Sequence, residues 1–128
     1  MRTFFSNRVR AFKFAFSGVN YLFRTQPNAL IHLLATILVC CVALYVQVSL
    51  IEWAILILTI SLVWITEMIN TAIEAVVDLS CPQRNPLAKT AKDVSAAAVL
   101  MSALASVLIG LIVLGPPLWE KIITVIGG

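Results

Sequence analysis

Residues 52–81 read EWAILILTISLVWITEMINTAIEAVVDLSC, and this stretch decides the fold. From Trp53 to Ile65 it is almost wholly apolar. From there on it carries Glu67, Asn70, Thr71, Glu74 and Asp78, spaced by steps of three and four. Strands alternate with period two, whereas these steps put one polar stripe on one face of a helix. The segment therefore starts near Glu52–Trp53 as a membrane span, with Trp53 a plausible interface anchor. It continues as a helix with an acidic face and stops at Cys81–Pro82. The stripe climbs about 16 Å, at 1.5 Å per residue.

Composition says what surrounds that helix. Of 128 residues, 61 % are hydrophobic and 12 % charged; a soluble domain carries about twice that charged fraction. A chain so short has too little interior to hide this much apolar surface from water, which leaves the bilayer. Apolar runs before and after the quoted stretch are long enough to span. The expectation is an all-α membrane protein: a single membrane domain over residues 1–128, with spans at about 29–47, 52–79 and 92–114. The third span is expected to close at Gly115-Pro116-Pro117. Along it Ala98, Ser102, Ser106 and Gly110 stand four apart, a spacing that lets helices approach closely in lipid, within one chain or between copies.

The segment at about 2–24 is of another kind. Phe5, Val9, Phe12, Phe16, Val19 and Phe23 recur at steps of three and four, while Arg2, Ser6, Arg10, Lys13 and Ser17 fall largely on other faces. A basic amphipathic helix with a phenylalanine stripe suits the membrane surface, with rings in the acyl boundary and cations near phosphates. Pro27 breaks it, and Asn28 is placed to cap the next helix. In the first span, His32 is the one strongly polar side chain.

Lys and Arg are distributed unevenly. Arg2, Arg8, Arg10, Lys13 and Arg24 precede the first span; Arg84, Lys89 and Lys92 lie between the second and third; Lys121 alone lies elsewhere. Cytoplasmic loops collect such residues, so the N-terminus and the 79–92 loop are expected on the cytoplasmic side of the membrane. No nucleic-acid partner is expected. Cys40, Cys41 and Cys81 have no metal-site or disulfide spacing and read as small buried side chains.

Acids inside a span are expensive, by roughly 3 kcal/mol each at its centre. Asp78 is expected at headgroup level, whereas Glu67 is three turns deeper and needs a partner, a proton or water. Like charges on one face are poor interhelical glue and invite a divalent cation; Mg²⁺ prefers carboxylate oxygens and commonly bridges to nucleotide phosphates. Lys89, Lys92 and Asp93, at the start of the third span, would supply phosphate-binding charge at the same depth.

At this point the residues resemble a family. Glu67-Met68-Ile69-Asn70-Thr71-Ala72-Ile73-Glu74-Ala75-Val76-Val77-Asp78 is similar to the signature of the small prokaryotic diacylglycerol kinases and their undecaprenol kinase relatives. Pro86-Leu87-Ala88-Lys89, Ala91-Lys92-Asp93 and Ala96-Ala97-Ala98-Val99-Leu100 resemble the family's second block. The likeness covers roughly residues 8–114. It implies a homotrimer with active sites shared between protomers, transferring the ATP γ-phosphoryl group to a lipid hydroxyl of diacylglycerol or undecaprenol type at the cytoplasmic face. It also implies roles: Glu67 as general base, Asn70 orienting the catalytic carboxylate, Glu74 holding Mg²⁺, and Lys92 and Asp93 contacting nucleotide. Gln26 stands where the family often has an acid that shares the metal, and it joins the expected metal and nucleotide site. The loop Gln83-Arg84-Asn85 and Phe14 also depart from the common pattern. Phe12, Phe16, Phe23 and Trp53 offer apolar walls for the lipid.

Two other readings are compatible with the residues. A relative with altered or lost ATP chemistry would bind lipid or metal, or use another phosphate donor. A small proton-coupled transporter would use Glu67 in a central pathway, but has no need of the Glu67/Glu74 face together with Lys92-Asp93.

Overall fold

Pro27 makes the first corner. Its fixed φ suits the first turn of a helix, and it has no N–H to leave unpaired there. In the computed structural model, which describes residues 2–126 and side chains from residue 8 onward, helix α1 (Arg2–Thr25) ends just before it and α2 (Pro27–Val46) starts at it. The N-cap is thus Gln26, extended at φ −113° and ψ 107°, rather than Asn28. Gln26 makes no side-chain cap, so its amide is free to reach across to α3 (Leu50–Ser80). The side chains of Arg2, Phe5 and Ser6 lie outside the described residues.

The α2–α3 corner is tight. Gln47 takes the left-handed conformation at φ 58°, and its N–H and that of Val48 close on the last carbonyls of α2. Ser49 then caps α3: its hydroxyl accepts from the Glu52 N–H, and the Glu52 carboxylate accepts from the Ser49 N–H at 2.7 Å. This reciprocal box satisfies two of the otherwise orphaned amides at a helix start. At the far end Asn85 caps α4 (Pro86–Ile126), its Oδ1 accepting from the Leu87 N–H at 2.8 Å and the Ala88 N–H at 3.4 Å.

The described residues form helices and no strand, and α2, α3 and α4 are each long and apolar enough to cross a membrane. α4 does not close at Gly115-Pro116-Pro117 but runs through both prolines to Ile126. The reason is packing beyond them. Leu114 and Leu118 pack with Ala43, Val46 and Leu56, and Lys121 donates to the Tyr45 carbonyl at 2.9 Å while lying 5.0 Å over its ring. Contacts at successive turns hold the helix where two prolines withdraw backbone donors.

α3 and α4 share the largest interface. α3 buries Leu56, Thr59, Val63, Glu67, Asn70 and Thr71; α4 buries Ser95, Val99 and Ser102. Both sets step by three and four, the two facing stripes of an antiparallel pair. The seam between them is polar: Thr66 and Ser102 hydroxyls lie 2.8 Å apart, and Ser106 donates to the Thr59 carbonyl at 3.4 Å. Small hydroxyl residues let the helices approach and supply the cross-links. Gly110, one turn further, has open space where a Cβ would sit, so it is not a close approach within this chain.

α1 meets the other helices at its C-terminal end, where Leu22 is buried and the Phe23 ring lies 5.7 Å from Trp64. Phe12 and Phe16 are uncovered by protein. Cys40 is half-buried, whereas Cys41 and Cys81 are exposed, contrary to the expectation of buried thiols; on helices flanked by few neighbours, most apolar surface stays uncovered.

Candidate functional site

The site grows from the polar half of α3. Glu67 is completely buried, and neither of its carboxylate oxygens has a hydrogen-bond partner among the described residues. One turn on, Asn70 Nδ2 donates to Glu74 Oε1 at 3.2 Å, and Ser95 donates to Asn70 Oδ1 at 2.7 Å from α4. From the α1–α2 corner, Gln26 Nε2 donates to Glu74 Oε2 at 2.8 Å. Glu74 is thus gripped by two amides, one on each oxygen. The Pro27 corner aims the first, and the Ser95 hydroxyl steadies the second.

These groups line one cavity of about 250 Å³, with Gln26, Asn28, His32, Glu67, Asn70 and Glu74 on its polar wall. A second, almost wholly apolar groove of about 550 Å³ adjoins it between α2, α3 and α4. Ile31, His32 and Ala103 line both and mark the boundary. A polar pocket opening beside an apolar trough accommodates an amphiphile, with its head at the carboxylates and its tail along the helices.

Lys92 Nζ lies 2.5 Å from Asp78 Oδ1, so it neutralises the acid at the head of the stripe. Asp93 pairs with Lys89 on the exposed face of the first α4 turns. Neither Lys92 nor Asp93 lines the cavity; both lie about one helical turn before Ala96, which does. Asn70 reaches Glu74 and makes no hydrogen bond to Glu67. Phe23 packs by the site through Trp64. Trp53 does not: it belongs to the cluster at the opposite end of α3, about 21 Å along the axis from Glu67. Asn85, in the loop that departs from the family pattern, serves as a helix cap.

Two residues of the site carried little sequence signal. Ser95 sits among alanines, and only the pairing of α3 with α4 brings it to Asn70. Trp64 reads as one more apolar residue of a span, yet its Nε1 donates to Thr36 at 3.1 Å and its ring holds His32 edge-on. His32 did carry a signal, since an ionisable residue inside a span is a functional candidate by default. Its Nε2 stands 3.7 Å from Glu67 Oε2.

Glu74 and its neighbours are a sparse donor set for Mg²⁺. Among the described residues no three His, Cys, Asp or Glu side chains converge. Glu74 offers one charge; Gln26 and Asn70 turn their amide N–H groups toward it, and the Asn70 oxygen already accepts from Ser95. That is thin for a metal held by protein alone, but it fits an ion that takes one or two carboxylates and completes its shell with nucleotide phosphates and water.

Comparison with known proteins agrees with this geometry. The profile of the family described as prokaryotic diacylglycerol kinase matches residues 13–114. The chain is 44 % identical to a diacylglycerol kinase of Synechocystis over 113 residues, which are 88 % of this chain and 65 % of that one. It is 39 % identical to an undecaprenol kinase of Bacillus subtilis over 109 residues, 85 % of this chain and 89 % of the relative. With a diacylglycerol kinase of Escherichia coli the identity is 30 % over 106 residues, 83 % and 87 % of the two chains.

Proposed function

We propose that this chain, which belongs to the prokaryotic diacylglycerol kinase family, is an ATP-dependent lipid kinase of a bacterial inner membrane. It transfers the γ-phosphoryl group to the hydroxyl of a lipid of diacylglycerol or undecaprenol type. The observation that carries this reading is the pair of unlike carboxylates on one helix face. Glu67 is buried and unpartnered beside an apolar groove; Glu74, about 10 Å along the helix, is held between two amides nearer the loop between α3 and α4.

The difference in setting divides the labour. Glu67 takes the proton of the lipid hydroxyl as the oxygen attacks. Out of water, its carboxylate has no competing hydrogen bond to break first. Glu74 would hold Mg²⁺, joined by Gln26 with its amide turned to present the oxygen, and the metal would supply charge neutralisation for the nucleotide phosphates. Ser95 and Asn70 keep the Glu74 carboxylate in one orientation. Lys92 and Asp93, about one helical turn before the cavity wall, meet the nucleotide as it enters; binding there requires Lys92 to exchange Asp78 for phosphate. Phe12, Phe16 and Phe23 form a wall for the lipid on α1, which lies on the membrane surface. Trp53 anchors the far end of α3 and meets only the tail of a long acceptor. The N-terminus and the 79–92 loop face the cytoplasm, where ATP is. The chain works as a single membrane domain and a homotrimer in which neighbouring protomers share sites.

The direct trial is to incubate the purified protein in lipid vesicles with Mg-ATP and, separately, diacylglycerol and undecaprenol. Phosphorylated lipid from at least one acceptor is expected. No product from either alcohol or their shorter-chain analogues would overturn the reading.

A further inference from the structure

His32 is the chain's one histidine. Its Nε2 and both Glu67 carboxylate oxygens are buried without a hydrogen-bond partner, and Nε2 stands 3.7 Å from Glu67 Oε2. Buried polar atoms are nearly always paired, so three orphans facing one another form a pair waiting to close. One ring packs on the imidazole: Trp64 meets it edge-on at 6.2 Å, and Trp64 is itself fixed by donating Nε1–H to Thr36, one turn along α2 from His32. The family signature on α3 does not include this residue; α2 brings it in from 35 positions upstream.

We infer that His32 is the positioning residue for Glu67: Nε2–H donates to Oε2 and leaves Oε1 to face the acceptor hydroxyl. This rests on the reading of Glu67 as the base. The terminal torsion of a glutamate is broad, so a carboxylate tied at neither oxygen samples many orientations, and a bond to one oxygen fixes the other. Closing from 3.7 Å to below about 3.2 Å is the tightening acid–base hydrogen bonds show when substrate binds. In the step so arranged, the lipid O–H bond breaks and its proton passes to Glu67 Oε1. The lipid oxygen bonds to the γ-phosphorus, and the bond from phosphorus to the β-bridging oxygen breaks, releasing ADP. His32 lines the apolar groove as well, so the same ring marks where the lipid tail ends and its hydroxyl begins.

The experiment compares wild type, His32→Leu and His32→Gln as full chains in vesicles, reading kcat and KM for ATP. It adds the ¹⁵N resonance of the single histidine in wild type and Glu67→Gln. His32→Leu is expected to lower kcat about tenfold or more at unchanged KM for ATP. His32→Gln, whose amide nitrogen can occupy the place of Nε2, should recover most of the loss. Glu67→Gln should shift the imidazole nitrogen resonance. Wild-type turnover in His32→Leu, or equal impairment of both variants, overturns the inference. So does an imidazole resonance indifferent to Glu67→Gln, a readout that needs neither turnover nor a folded His32 variant. A wild type that phosphorylates no lipid would instead sink the kinase reading, while the resonance would still report on the pair.

Discussion

At the scale of single residues, the site depends on who holds each carboxylate. Glu74 is clasped by Gln26 and Asn70, and Asn70 in turn accepts from Ser95. Ser95→Ala removes that donor and leaves a buried amide oxygen without it, which costs about 1–3 kcal/mol. The expected outcome is a lower unfolding midpoint together with a several-fold higher KM for Mg-ATP. Calorimetry and a nucleotide titration check the two separately; a change in stability with KM untouched would mean that Ser95 holds the helices but not the site. The carboxylates were legible in the sequence because acids in an apolar run have no bland explanation. Ser95 was not, since serine is common in membrane helices and its value depends on which α4 turn meets Asn70. Gln26 was legible only as a departure from a pattern; its hydrogen bond to Glu74 shows that the position still faces the same carboxylate.

At the scale of elements, apolar run length identified the spans and periodicity identified α1 and the polar face of α3, and the failures came at the ends. Ser49 with Glu52 starts α3 two residues before the expected point, because a capping box lies in three or four residues and not in a hydrophobic period. The α4 extension through Pro116 and Pro117 was illegible for the opposite reason. Proline argues locally for a stop, and only the tertiary contacts of Leu118 and Lys121 override it. The Ser49 cap sits about 27 Å along α3 from Glu67. Ser49→Ala should therefore cost about 1 kcal/mol of stability and leave turnover unchanged. Denaturation in mild detergent and a lipid phosphorylation assay on one preparation measure both; a large fall in turnover would show that the far corner is coupled to the site.

At the scale of the whole molecule, the stripe on α3 has a direction. Its groove end, Glu67 with His32, adjoins the apolar groove, and its loop end, Glu74 with Gln26, lies nearer the loop between α3 and α4. Fold class followed from composition and the length of the apolar runs, and the order of the two carboxylates along α3 from their spacing. The groove did not, because it is made by three helices whose facing sides no local pattern announces. Nor did the polar seam of α3 with α4, which is a property of pairing. The direction of the stripe separates two functions that a single assay confounds, so the decisive measurement takes Glu67→Gln and Glu74→Gln side by side, recording Mg-dependent ATP binding and γ-phosphoryl transfer to lipid in each. Glu67→Gln should bind Mg-ATP as wild type does and transfer at least about a hundredfold more slowly. Glu74→Gln should lose Mg-dependent ATP binding. Transfer by Glu67→Gln within a few-fold of wild type, or full ATP binding by Glu74→Gln, would contradict the assignment of base to the groove end and metal to the loop end.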